Sequence, residues 1–210
     1  MYNVICVKFG TKYDEAFVRK LYQDICDKTQ SEFKFYCYTD RWDGPSEGIN
    51  LIWPLGKPTL KRVWNKLRLF DIAMPIDDFH KTYFFDLDVK ILKDPLIDLD
   101  DWSKITIIDS HWKTGKLYNR LSNYDVKINS SVIAWHPVEC HDIWEQFNTG
   151  FRDYYMRKYV GIDRFIVHEE IEYNTFDHSY IQSKKYQPNV DYNASVLTFE
   201  EIQVGIKDLI

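Results

Sequence analysis

An aromatic run in the sequence leads directly into two carboxylates. Residues 83–85, Tyr-Phe-Phe, precede Asp86 and Asp88, a pattern that predicts a buried strand interrupted by acids. Side chains at i and i+2 of a regular strand point to opposite faces, so the chain must turn between the aspartates if both are to contact one ligand. Paired carboxylates suit Mg²⁺ or Mn²⁺, which complete their shells with water and substrate phosphates. We therefore predict that Asp86 and Asp88 bind a divalent metal.

The same pair has a simpler interpretation. Asp86 could cap a turn while Asp88 lies in solvent, because Asp-x-Asp is a short pattern that arises often by chance. The buried run before the pair favours the metal site, since a desolvated charge requires compensation and a cation provides it. Ligands of open α/β sheets bind beyond the carboxyl ends of the strands, which is where this pair is expected.

The elements around the pair alternate between strand-like and helix-like segments. Strands are predicted over residues 2–9, 33–39 and 49–53, with a helix over 14–26, and this β-α-β order predicts a parallel sheet with right-handed crossovers. Further predicted elements are a helix over 60–73, strands over 81–89, 104–109 and 126–135, a helix over 139–155, a short helix over 163–169 and short strands after residue 173. We expect an α/β fold with a central, mostly parallel sheet flanked by helices, in a single domain over residues 1–210 that could be part of a longer chain.

The composition excludes several partners. A formal net charge of -5 and a pI near 5.7 provide no general attraction for nucleic acid or an anionic membrane. No apolar run approaches the roughly 20 residues of a membrane-spanning helix, and the strand-like start lacks a cleavable signal. We therefore expect a soluble, cytoplasmic protein with neither a nucleic-acid partner nor a membrane span.

Motifs of competing site types are missing from the sequence. The four cysteines are scattered without a Cys-x-x-Cys spacing, which favours buried free thiols over disulfides or zinc ligands. The six histidines contain no zinc-enzyme spacing such as His-Glu-x-x-His. A Gly-x-Ser-x-Gly elbow, a phosphate-binding Gly-rich loop and a dinucleotide fingerprint are all missing. These absences weaken the other common α/β enzyme classes.

Four stretches of the chain, in this order, resemble GT-A-type glycosyltransferases. The similarity is to glycogenin-like enzymes and to small domains of this kind from bacteria and from large viruses of algae. The stretches are Trp64–Phe70, Tyr83–Val89, Asn129–Trp135 and Gly161–Phe165, and residues 183–185 add a weaker fifth. The resemblance implies a Rossmann-like GT-A domain in which Mn²⁺ or Mg²⁺ binds the donor diphosphate. It further implies transfer of a hexose from a nucleotide sugar, with UDP as the nucleotide, to a glycan or other hydroxyl acceptor.

The resemblance also implies roles for individual residues. Lys8, Tyr13 and Asp40 would contact the nucleotide, Lys66 and either Lys184 or Lys185 the diphosphate, Asn129 and Ser130 the sugar hydroxyls, and Asp163 the reacting sugar. In an inverting reaction Asp163 would act as general base, and in a retaining one it would stabilise an oxocarbenium-like transition state. Each has a structural alternative: a solvated lysine, a packed tyrosine at a helix entry, a turn-forming Asp40, a strand-start turn, or a helix-capping Asp163.

Several points stay open at the level of sequence. Many relatives supply a metal-binding His near the C-terminus, where this chain has residues 199–201, Phe-Glu-Glu. The third ligand could be phosphate and water, His178 or a tail carboxylate. Trp112 and Tyr118, in a polar loop over residues 110–123, are predicted to be exposed and to line the acceptor side. Two other functions remain: metal-dependent nucleotidyl or phosphoryl transfer, and sugar binding without catalysis.

Overall fold

The computed structural model describes residues 1–54, 60–112, 126–184 and 194–199. The strands in these ranges are β1 (Tyr2–Lys8), β2 (Phe33–Thr39), β3 (Ile49–Ile52), β4 (Lys81–Phe85), β5 (Val89–Ile91), β6 (Ile105–Asp109), β7 (Ile128–Trp135), β8 (Tyr173–Thr175), β9 (Ile181–Ser183) and β10 (Val196–Thr198). The helices are α1 (Glu15–Lys28), α2 (Asp142–Asn148), α3 (Arg152–Lys158), α4 (Ile162–His168) and a 3₁₀ helix (Arg62–Phe70).

The main sheet has seven strands in the order β3-β2-β1-β4-β7-β6-β8. Its neighbours pair in parallel except at β7, which runs antiparallel to both β4 and β6. A smaller sheet has the order β5-β10-β9. The mostly parallel α/β fold predicted from the sequence is therefore confirmed.

Side chains alternate between two apolar layers on either face of the main sheet. In β1, Val4 and Cys6 belong to the layer that contains α1, whereas Ile5 belongs to the layer that contains the 3₁₀ helix, α2 and α4. Tyr83 and Phe84 of β4 divide in the same way. This alternation follows from the two-residue period of a strand. Both faces of β4 are therefore buried, as its aromatic sequence requires.

The helices differ from the predictions in two places. Residues 139–155 form α2 and α3 rather than one helix, because Gly150 follows the C-cap of α2 with φ +100, in the left-handed region that glycine adopts without strain. The segment predicted as an amphipathic helix is a 3₁₀ helix in which Trp64, Leu67 and Phe70 are buried. Their three-residue spacing matches its period of three residues per turn. Among the described helices, none combines the length and apolarity that crossing a membrane requires.

The strand that carries the carboxylate pair ends earlier than predicted. β4 stops at Phe85, residues 86–88 form a turn, and β5 begins at Val89 in the smaller sheet. The chain thus turns between the aspartates, as a common ligand would require. The turn lies at the carboxyl edge of the main sheet.

Candidate active site

The two aspartates flank a buried leucine in the turn after β4. The Asp86 N–H donates to the backbone oxygen of Ser131 over 2.8 Å, which continues the pairing with β7 by one residue. Leu87 packs in the core with 3% of its surface exposed. The side chains of Asp86 and Asp88 are 24% and 23% exposed. Leu87 thus anchors the turn while both carboxylates remain accessible.

Lys66 connects the 3₁₀ helix to this turn. Its Nζ donates to Oδ2 of Asp86 over 2.8 Å and to the backbone oxygen of Ser130 over 3.1 Å. Burial raises the pKa of Asp86 to about 6; the Lys66 charge opposes this rise and the Asp88 charge adds to it. Lys66 therefore offsets only part of the cost of burying the Asp86 charge.

The loop after β1 reaches the second carboxylate. The Tyr13 hydroxyl donates to Oδ2 of Asp88 over 2.6 Å. Burial and the charge of Asp88 raise the pKa of Tyr13, so the phenol keeps its proton and remains a donor. Lys12 Nζ lies 3.7 Å from the same oxygen, but its side chain is 72% exposed, and pairs in solvent contribute little. Tyr13 therefore orients Asp88, and its predicted contact with the nucleotide remains a prediction.

Lys8 and Asp40 both stabilise the loop that carries Tyr13. Lys8 is 1% exposed, pairs with Glu15 at 2.9 Å and donates to the backbone oxygen of Arg41 over 3.0 Å. The Asp40 carboxylate accepts the Gly10 N–H at 3.1 and 3.2 Å, and Gly10 has a φ of +75. Direct contact of Lys8 or Asp40 with a nucleotide remains a prediction. Sequence reasoning missed Glu15, because no short-range pattern links it to Lys8.

β7 contributes Asn129 and Ser130 through an irregular stretch. Its pairing with β6 shifts from Ile133 to Asn129 across one step of β6, so that residues 130–132 form a bulge. Oδ1 of Asn129 accepts the Ser131 N–H over 2.8 Å, and Ser130 is buried with its backbone oxygen on Lys66. The bulge thus brings β7 against Lys66 and the turn after β4.

Asp163 lies in the first turn of α4, which packs against β7 and the 3₁₀ helix. The N-cap is Gly161 and no side chain caps it, so Asp163 is not the helix cap. Asp163 is 6% exposed, and its Oδ1 has no hydrogen-bond partner among the described residues. A buried carboxylate oxygen without a donor is costly, and a hydroxyl or water that donates to it would remove that cost.

The remaining predicted site residues have other surroundings. Lys184 follows β9, and its backbone N–H donates to the Thr198 oxygen over 2.8 Å. Trp112 is buried at 9% exposure and packs in the core, so the prediction that it is exposed is wrong. Its indole packs edge-on against His111. Lys185, Tyr118 and the tail carboxylates at 200 and 201 lie outside the described residues.

The chemistry of the Asp86–Asp88 pair fits a hard divalent cation. The pair offers carboxylate oxygens and an accessible side, and the lysine nearest to Asp88 is exposed to solvent. In the described ranges, no third His, Cys, Asp or Glu forms a metal-sized cluster with Asp86 and Asp88, and His178 lies instead with Asp109 and His111. Water and substrate phosphates would therefore supply the other ligands, as is usual for Mg²⁺.

No protein-family model matches the chain, and no curated protein matches it by sequence. Solved structures do match over nearly its whole length. An active-site mutant of LgtC is 13% identical, with a TM-score of 0.66 over 95% of this chain and 88% of that one. The galactosyltransferase LgtC in complex with donor and acceptor sugar analogues is 12% identical, with a TM-score of 0.63 over 94% and 87%. The chain has the fold of these glycosyltransferases.

Two further structures share this GT-A-type fold. The glycosyltransferase GlyE of Streptococcus pneumoniae TIGR4 is 15% identical, with a TM-score of 0.64, and the match covers 97% of this chain but 57% of GlyE. A glycosyltransferase involved in glycosylation of the major capsid of PBCV-1 is 14% identical, with a TM-score of 0.57 over 96% and 94%. The GT-A-type fold expected from the sequence is thereby confirmed.

Proposed function

We propose that the chain is a metal-dependent glycosyltransferase that moves a hexose from a nucleotide sugar, with UDP as the nucleotide, to a hydroxyl of a glycan or other acceptor. The observation that carries this proposal is the accessible Asp86–Asp88 pair at the carboxyl end of β4, in a fold shared with glycosyltransferases. One of these, LgtC, was solved with donor and acceptor sugar analogues. A diphosphate-bound cation is the natural partner of such a pair.

The residues around the pair support binding and departure of a diphosphate. Mn²⁺ or Mg²⁺ on Asp86 and Asp88 would neutralise charge on the diphosphate as the anomeric bond breaks. Lys66, 2.8 Å from Asp86, adds a second positive charge within reach of the same phosphates. Tyr13 orients Asp88 through its hydroxyl, and supporting hydrogen bonds of this kind tune metal ligands.

The sugar is assigned to the side formed by β7 and α4. Ser130 lies on the β7 bulge beside Lys66, and Asn129 directly precedes the bulge. We assign both residues to the sugar hydroxyls. Oδ1 of Asp163 has no hydrogen-bond partner in the described part of the chain. This supports a contact with the reacting sugar, either as general base or as a stabiliser of positive charge. Lys184 is assigned to the diphosphate, and the loop built by Lys8 and Asp40 to the nucleotide.

The test is calorimetric titration with a panel of nucleotide sugars, with and without Mn²⁺. Three proteins are compared: the wild type, Asp86→Ala/Asp88→Ala, and the control Asp27→Ala/Asp153→Ala, which removes two exposed helix carboxylates. We expect Mn²⁺-dependent binding of a UDP-sugar that is lost only in the first double variant. Nucleotidyl transfer or phosphate release without dependence on the sugar would replace the proposal with phosphoryl transfer. Sugar binding that persists after chelation and without turnover would identify a non-catalytic domain.

A further inference from the structure

A second group of metal-ligand side chains lies at the carboxyl edge of the main sheet. Asp109 ends β6, His111 follows two residues later, and His178 lies in the turn after β8. One ligand atom from each residue lies within 4.8 Å of the other two. β4 and β6 flank β7 on opposite sides, so Asp109 is two strand spacings, about 10 Å, from the line of β4. The cluster is therefore a neighbour of the Asp86–Asp88 turn.

Direct contacts hold the cluster together across the sequence. His178 Nε2 lies 2.8 Å from Asp109 Oδ2. The rings of His111 and His178 stack with centroids 4.0 Å apart and planes at 24°, and His111 Nδ1 lies 3.3 Å from the backbone oxygen of Asp109. The side chains of His178 and Asp109 are 57% and 28% exposed. Two imidazoles and a carboxylate thus converge where an ion from solvent can reach them.

We propose that Asp109, His111 and His178 form a binding site for a transition-metal ion such as Zn²⁺. Imidazole nitrogens select zinc and its neighbours in the first transition series over Mg²⁺ and Ca²⁺, which prefer oxygen alone. This ligand set therefore prefers different metal ions from those preferred by Asp86 and Asp88. One chain would carry a site for Mg²⁺ or Mn²⁺ and a second site for a transition metal such as Zn²⁺. The second site is independent of the proposed sugar transfer.

The geometry requires only small side-chain adjustments. Zinc bonds to nitrogen and carboxylate oxygen are about 2.0–2.2 Å, so tetrahedral ligand atoms lie about 3.3 Å apart. The 2.8 Å pair of His178 and Asp109 is already near that separation. Ligand atoms up to 4.8 Å apart must approach by at most about 1.5 Å, a shift that rotation of exposed histidines provides.

The three ligands that the described residues supply leave a tetrahedral position for water or another molecule. His178 also lines a cavity of about 740 Å³ between the end of β8 and residues 97–101. Asp109 and His111 do not line this cavity, so water is the expected fourth ligand. The site has the composition of an open zinc centre rather than a closed structural one.

The test is a Zn²⁺ titration of a tag-free Asp86→Asn/Asp88→Asn background, in which the hard-cation site is disabled. We expect one Zn²⁺ per chain by calorimetry, and a loss of affinity of about tenfold or more on His111→Ala or His178→Ala. Co²⁺ in the same background should give visible absorption bands that disappear in the two histidine variants. Because the background cannot load the Asp86–Asp88 site, failure here leaves the proposed transferase unaffected.

Matched variants separate this site from other zinc-binding groups. His141→Ala removes a histidine at the N-terminus of α2, and Cys26→Ser removes an exposed thiol; neither should change the affinity. Circular dichroism and thermal melts confirm that each variant folds. The proposal would be overturned if the background bound no Zn²⁺, or if His111→Ala and His178→Ala both left the Zn²⁺ affinity unchanged. A loss of Zn²⁺ affinity on Cys26→Ser would also overturn it.

Discussion

Two lysine–carboxylate pairs occupy the carboxyl ends of neighbouring strands, and they differ in how their charges balance. At the end of β1, Lys8 meets Glu15 at 2.9 Å. After β4, Lys66 meets Asp86 at 2.8 Å, but Asp88 adds a second negative charge. The Lys8 hydrogen bond lowers the pKa of Glu15, whereas burial raises that of Asp86 to about 6. The first carboxylate has a buried lysine as its partner, whereas the only lysine near Asp88 among the described residues is the exposed Lys12, 3.7 Å away.

The difference separates a structural pair from a ligand-binding one. Lys8 is 1% exposed, and its partners Glu15 and Arg41 lie at the start of α1 and just after β2. The Asp86–Asp88 turn keeps both carboxylates about one quarter exposed. A buried charge is tolerated when it is paired, so an accessible carboxylate whose nearest lysine is exposed indicates a site that a cation completes.

The largest expected effect is on catalysis at the Asp86–Asp88 pair. Asp88→Asn should lower the rate of hexose transfer about a thousandfold, about 4 kcal/mol of activation free energy, because the cation loses a charged ligand. The fold should be retained, because the Asp88 side chain is 23% exposed and lies in a turn. Radiolabelled-sugar transfer checks the rate, with Asp153→Asn as the control. A variant that keeps most of its activity would exclude Asp88 as a metal ligand.

At the Lys8–Glu15 pair the expected effect is on stability. Lys8→Met leaves Glu15 without its partner and should lower the free energy of unfolding by about 3 kcal/mol, as breaking a buried ion pair does. Chemical denaturation measures this loss. Lys8→Met/Glu15→Gln should recover part of it, because the orphaned charge is removed. If Lys8→Met abolished nucleotide binding at full stability, Lys8 would be a ligand contact instead of a structural group.

The two pairs should also respond to pH in opposite directions. The metal-free fold binds the Asp86 proton more tightly than the unfolded chain does. The resulting stability is present below pH about 4 and is lost, by about 3 kcal/mol, as pH rises through about 6. The lowered pKa of Glu15 acts in the opposite direction. Its contribution to the stability of the fold is present at neutral pH and is lost as pH falls below about 4.5.

Denaturation across about pH 2–8 in a metal chelator tests this contrast, because the Glu15 contribution is lost only below pH about 4.5. Asp86→Asn should remove the loss on the alkaline side, and Glu15→Gln should remove part of the loss on the acidic side. A pH profile of Asp86→Asn that parallels the wild type would contradict the raised pKa. Added Mn²⁺ should selectively stabilise the wild type above pH about 6, where the Asp86 carboxylate is ionised.

The smallest expected effect concerns the orientation of Asp88. Tyr13→Phe removes the hydroxyl that donates to Oδ2 over 2.6 Å and should weaken Mn²⁺ binding about tenfold, as the loss of a supporting hydrogen bond typically does. Calorimetry with Mn²⁺ measures the change. Tyr2→Phe is the control, because Tyr2 lies at the opposite end of β1. An unchanged Mn²⁺ affinity would assign Tyr13 to packing alone.

Much of the fold was predictable because its signals are local. The strand over 33–39 has the predicted bounds, and Asp14 caps α1 through the Ala16 N–H, a contact between residues two apart. The break between α2 and α3 was missed although Gly150 was its signal. The period of three in the 3₁₀ helix was misread as an α-helical pattern, since the two periods differ by less than one residue per turn.

The sequence by itself determined the alternation of elements, the buried aromatic strand and the position of two carboxylates at its end, because these follow from periodicity and residue type. Only the tertiary structure decided the partners of the site residues. Tyr13 and Asp88 are 75 positions apart, and His178 and Asp109 are 69 apart. Such contacts depend on strand order and register, which bring distant loops to one edge of the sheet and which no short-range pattern encodes.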